Sequence, residues 1–153
     1  VMENMSLKET GLVLQFHVVA MFLPSLITGN LIKKYGHSAI IYGGVLFFFI
    51  TVLISLFEQT YLNYMLSLIF LGLGWNFLFI SGTSLVVLTY NKEEKFKVQG
   101  INDLIVFSTM ALASLSAGIL LNSIGWKMMN IICIPFLILI ILVSFVADKK
   151  SAS

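Results

Sequence analysis

The sequence predicts an all-α fold, a multi-pass transmembrane helical bundle of five spans, and three observations carry that prediction. Of 153 residues, 59% are hydrophobic and only 10% are charged, with a mean hydropathy of +1.01. Soluble domains carry roughly a quarter charged residues. The apolar residues collect into five runs, each near the ~20 residues that a bilayer crossing needs. The cations are all lysine and are sorted. Lys33, Lys34, Lys92, Lys95, Lys97, Lys149 and Lys150 fall on one side of a five-span arrangement, and only Lys8 and Lys127 fall on the other.

Residues 1–10 are polar, with Glu3, Lys8 and Glu9 and no signal-peptide shape, and are expected to form an outer loop. The five-helix transmembrane region is expected over residues 11–147. Its first run covers about Gly11 to Ile32 and ends in Lys33-Lys34-Tyr35-Gly36-His37. The second covers about Ala39 to Phe57, ended by Glu58-Gln59-Thr60. The third covers about Tyr61 to Tyr90 and gives way to the charged loop Asn91 to Lys97. The fourth covers about Leu104 to Ile124 and the fifth about Met128 to Ala147. Residues 148–153 form a short tail. The positive-inside bias places the loops after the first and third runs and the C-terminus in the cytoplasm, with the N-terminus outside. Trp126, Tyr61 and Tyr64 then lie at outer interfaces, and Tyr35 and Tyr90 at inner ones, where aromatic belts form. An odd span count with an outside N-terminus predicts that a preceding helix, or a whole preceding half, belongs with this chain.

Gly29-Asn30-Leu31-Ile32-Lys33-Lys34-Tyr35-Gly36-His37 resembles the cytoplasmic signature loop of the major facilitator superfamily, G-x-L-A-D-R/K-x-G-R-R/K. Gly29, Leu31, Lys34 and Gly36 match; Lys33 stands where the signature has Asp, and His37 replaces its Arg. The stretches Gln15 to Ser25, Gly72 to Thr83 and Gln99 to Asp103 resemble a bacterial subgroup of these transporters in the same order. The resemblance covers almost the whole chain and implies helices eight to twelve of a twelve-helix fold. It also implies secondary transport of a small solute, proton-coupled, across the bacterial inner membrane.

The polar residues inside the spans are the candidates for function. Asn76 shares a helical face with Gly72, Leu73, Phe79, Ile80 and Thr83, so Gly72, Asn76 and Thr83 make a small polar stripe. Two readings stay open. The stripe is helix–helix glue, in which small residues allow close approach and amides bond across the interface. Or it is a wall of the substrate pathway, as the tenth helix of the resembled family would be. His17 shares a face with Met21, Pro24 and Thr28. Pro24 should kink its helix and expose a carbonyl, while His17 is either a coupling-proton carrier or a hydrogen-bonded packing residue. Asn102 and Asp103 are expected to open the fourth run, where an acid complements the helix dipole. Asp103 is also the expected partner of Lys33 or Lys34 in a cytoplasmic gate. Ser108, Ala111, Ser114, Leu115, Gly118 and Asn122 make a small-residue stripe that reads as a close-packing seam.

Several classes are excluded. His17 and His37 fall on opposite sides and Cys133 is alone, so no metal cluster forms. There is no nucleophile triad, Walker loop or dinucleotide fingerprint, hence no enzyme and no cofactor. A net charge of +2 is too weak for nucleic acid. The expected partners are the lipid bilayer, a small-molecule substrate, and the missing N-terminal half or another membrane chain. The rival reading is a non-transporting membrane subunit or scaffold, or an inactive transporter fragment.

Overall fold

A computed structural model of the chain describes residues 5–58 and 60–151, apart from the side chains of residues 150 and 151. Regular structure among these residues is α-helical: α1 (Leu7–Phe22), α2 (Ser25–Tyr35), α3 (His37–Ser55), α4 (Tyr61–Val87), α5 (Lys95–Ile132) and α6 (Ile134–Ser151). Four stretches among them are long and apolar enough to cross a bilayer: Leu7–Tyr35, His37–Ser55, Tyr61–Val87 and Lys95–Lys149. The expectation of five spans differs from this count only at the C-terminal end. There the expected fourth and fifth spans run on as one 55-residue stretch. At 1.5 Å per residue a straight helix of that size would be about 80 Å long, against a hydrocarbon core of about 30 Å. Gly125 breaks it, with φ 74 and ψ 171, a conformation that residues with a Cβ rarely adopt.

Local chemistry sets the other boundaries. α1 begins at Leu7, earlier than the expected Gly11, because Ser6 and Glu9 form a capping box. The Ser6 hydroxyl accepts from the Glu9 N–H at 3.2 Å, and the Ser6 N–H donates to the Glu9 carboxylate at 2.8 Å. Pro24 divides α1 from α2 as the expected kink: Leu23 and Pro24 keep helical backbone angles, and Leu7–Tyr35 remains one span. Gly36, at φ 84, separates α2 from α3. Thr60 caps α4 by accepting from the Asn63 N–H at 3.3 Å. α5 starts at Lys95, well before the expected Leu104, since nothing from Lys95 to Gln99 breaks a helix. Asp103 therefore lies in the third turn of α5 and caps no helix terminus, a correction to its expected role.

α4 is the hub and packs chiefly on α3 and α1. Thr51 meets Ser67, Gly44 meets Gly74, and His37 meets Ser84, so α3 and α4 run antiparallel. His17 meets Leu68 and Met21 meets Asn76, so α1 and α4 run parallel. Two helices side by side in this sense need one crossing between them, which α3 supplies. At the Tyr61 end Met5, Val13, Tyr64, Leu68 and Trp126 form the core cluster, with Tyr64 and Trp126 in edge contact at 5.3 Å. The expected seam on α5 has no partner here. Ser108, Ala111, Ser114, Leu115, Gly118 and Asn122 are all exposed, and a Cβ on Gly118 would meet nothing within 4 Å. Among the described residues, no element covers that face.

Candidate functional site

The site is built where the kink at Pro24 meets the middle of α4. Pro24 has no N–H to give, and side chains donate to carbonyls around it, although Pro24 O also accepts from the Ile27 and Thr28 N–H groups at 2.9 Å. Met21 O accepts from the Asn76 amide nitrogen at 2.7 Å, Phe22 O accepts from the Ser25 hydroxyl, and Pro24 O accepts from the Thr28 hydroxyl at 2.8 Å. The Thr28 hydroxyl also lies 2.7 Å from the Asn76 carbonyl oxygen, so one proton is shared between two acceptors. Thr28 is fully buried and Asn76 is 1% exposed. Both ends of the Asn76 amide are thus engaged by the kinked helix.

One turn away Gly72 brings α4 against α1. A Cβ there would lie 2.7 Å from His17 O and 2.9 Å from the Ala20 Cβ. His17 Nδ1 sits 2.7 Å from Leu68 O. A carbonyl oxygen only accepts, so Nδ1 carries the hydrogen of this bond. His17, Pro24, Gly72 and Asn76 are therefore brought together in one seam. Thr83 is on the same side of α4, but its hydroxyl bonds back to Phe79 O at 2.7 Å within its own helix.

The three gate candidates stand apart. Lys33 and Lys34 are exposed at the end of α2, where Lys34 Nζ lies 5.0 Å from the Tyr35 ring centre. Asp103 is exposed on α5 and accepts from Asn102 at 3.3 Å. Among the described residues no ion pair joins Asp103 to either lysine. The acid that ties helices at this end is Asp148, near the end of α6. It accepts from the Ser38 hydroxyl and, at 3.2 Å, from the Tyr42 hydroxyl, both on α3. His37 at the start of α3 reaches the Ser84 hydroxyl of α4 at 2.6 Å.

Sequence reading missed these ties, and it missed that α4 has two working faces. The second face pairs Gly74 with Gly44 and sets Ser67 against Thr51, whose hydroxyl lies 3.1 Å from Ser67 O. The seven-residue spacing of Ser67, Gly74 and Ser81 is the signal that could have found it. The Asp148 contacts left no such signal, because they join residues more than a hundred positions apart.

Comparison with known proteins gives the site its context. The chain is 40% identical over 136 residues, 89% of its length, to the riboflavin transporter RfnT of Brucella anthropi. It is 31% identical over 128 residues, 82% of its length, to the uncharacterised MFS-type transporter YdeG of Bacillus subtilis. It spans about a third of the length of these curated relatives: 34% and 30% respectively. No solved structure matches it closely enough to compare. The relatives are transporters rather than enzymes, and the apolar helices make this a membrane protein. Residues 1–153 match the family described as Major Facilitator Superfamily, and the chain belongs to that family.

Proposed function

We propose that this chain supplies part of the solute pathway of a proton-coupled secondary carrier working by alternating access. The observation that carries the reading is the meeting of a proline-kinked helix with a buried amide at mid-depth. Asn76 is in the middle of the 27-residue α4, and the α1–α2 kink lies against it. Interrupted backbone hydrogen bonding near the bilayer midplane is what transporters use to build solute and ion sites. His17, held through Nδ1 against Leu68 O, is the proposed carrier of the coupling ion on this chain. Gly72 and Thr83 extend the pathway along α4. Lys33, Lys34 and Asp103 form the proposed cytoplasmic gate and pair in another state of the cycle.

The uncovered face of α5 and the threefold greater length of the relatives support a further segment, or a second membrane chain, completing the carrier. The lysine asymmetry supports a cytoplasmic C-terminus, an outside N-terminus and residence in the inner membrane. Riboflavin is the first solute to test, because a relative that transports it is 40% identical over 136 residues.

The test reconstitutes the complete carrier in liposomes and imposes a proton gradient. Riboflavin accumulates against its concentration, and a protonophore abolishes the accumulation. Uptake equal to that of empty liposomes, for riboflavin and for a panel of other solutes, rejects transport and favours the non-transporting subunit.

A further inference from the structure

Beside the Asn76 seam, α4 carries an aromatic pair that the hydrogen-bonded core does not explain. Trp75 and Phe79, one turn apart, are stacked with ring centres 4.6 Å apart and planes 9° apart. Phe22, the last residue of α1, meets Trp75 edge-on at 6.0 Å. None of the three rings is buried, and Phe22 is 58% exposed.

The position of Trp75 is the unusual part. Tryptophan in membrane proteins gathers at the two interfaces, where the indole N–H finds water or headgroups. Trp75 lies near the centre of α4 instead, about 20 Å from the Tyr61 end at 1.5 Å per residue. Among the described residues its indole N–H has no hydrogen-bond acceptor. Hydrocarbon offers none, so a lipid-facing Trp75 would leave a strong donor unsatisfied. Trp126, the other tryptophan, is by contrast packed into the core at the Tyr61 end.

We infer that Trp75, Phe79 and Phe22 form the part of the solute site that binds a planar heteroaromatic ring. A third planar ring extends the existing stack, while the Trp75 N–H, which lies in the plane of the indole, donates beside the stack to a polar group outside that ring. The seam supplies both chemistries side by side, because Trp75 is adjacent in sequence to Asn76 and Phe22 adjacent to Met21. A flexible polyol or a sugar offers no ring face and would leave the stack unused. This inference rests on the reading of the chain as part of a solute pathway, and it adds the class of solute and the groups that select it.

The test uses the complete carrier in proteoliposomes and three probes: riboflavin, lumichrome (its ring system without the sugar-alcohol tail) and ribitol (the tail without the ring). Flavin emission is quenched when the ring stacks on an indole, so binding and stacking are read together. Riboflavin and lumichrome are expected to displace one another and to show quenched emission, while ribitol displaces neither. Trp75→Leu should weaken ring binding about tenfold, the range found for single ring-stacking side chains, and should restore the emission of what still binds. Trp75→Phe keeps a smaller ring face and removes the N–H. It should bind about threefold more weakly, which also shows that the folded carrier survives substitution here.

The inference is overturned if no ring probe binds the folded carrier. It is overturned equally if ribitol displaces riboflavin while lumichrome does not, or if Trp75→Leu binds the rings as tightly as the parent with emission still quenched. Failure here separates from failure of the transport reading. Ring binding without flux counts against transport alone, and flux of a ring-free solute without ring binding counts against this site alone.

Discussion

Asn76 shows how little a single polar residue reveals until its neighbours are known. An amide in the middle of an apolar run had to face protein or a cavity, and that much was readable from the chain. Its partners were not, since Thr28 and Met21 lie about fifty residues away on another helix. Of the two readings that the sequence left open, the structure shows the bonding one: the amide is held on both sides across the interface with the kinked α1–α2 helix. The pathway reading remains a proposal. A double-mutant cycle on Asn76→Ala and Thr28→Ala measures the bond directly. Coupling of about 0.5–1.5 kcal/mol in reversible unfolding from detergent micelles is expected, in line with interhelical hydrogen bonds in membranes. Asn76→Ala should cost more than the coupling, because Met21 O also loses its donor, whereas Thr28→Ala leaves Pro24 O with the Ile27 and Thr28 N–H groups. A coupling near zero would mean that the two side chains do not share the proton.

Glycines decide how closely the helices approach, and they do so unequally. Span existence was legible from hydropathy alone, and the kink at Pro24 from the missing N–H. Boundaries were less so: the α5 start and the fusion across Gly125 depend on the absence of breakers and on one residue at positive φ. Which glycine faces a neighbour cannot be read from composition at all. Gly72 touches the α1 backbone, whereas a Cβ on Gly29 in α2 would meet nothing within 4 Å. Gly72→Ala is therefore expected to destabilise by about 1–3 kcal/mol, since a backbone oxygen cannot step aside as a side chain can. Gly29→Ala should be neutral or stabilise by up to about 1 kcal/mol through helix propensity. Both are read from unfolding midpoints in the same micelle. Equal effects would show that α1 and α4 are not in contact at Gly72.

Viewed as a whole, the molecule is packed on one side and open on the other. α3 and α4 hold the centre, α1 and α2 lie against α4, and α6 is tied to α3 through Asp148. The first half of α5 stands clear of them, although its stripe from Ser108 to Asn122 has the composition of a helix–helix seam. Small residues cost a lipid-facing helix nothing, so composition alone does not distinguish a seam from a bare face. What distinguishes them is whether bulk is tolerated. Ser114→Leu together with Gly118→Leu adds two large side chains where this chain has open space. Expressed by itself, the chain should keep its unfolding free energy or gain up to about 1 kcal/mol, since Gly118→Leu improves helix propensity in open space. In the complete carrier the same pair should prevent close approach of the segment that covers α5. Co-purification of that segment and solute flux should then fall about tenfold or more, since overpacking at a helix seam costs 1–3 kcal/mol per site. Unchanged flux and co-purification would make this face lipid-exposed, and the segment completing the pathway would then have to dock on α1 and α2 instead.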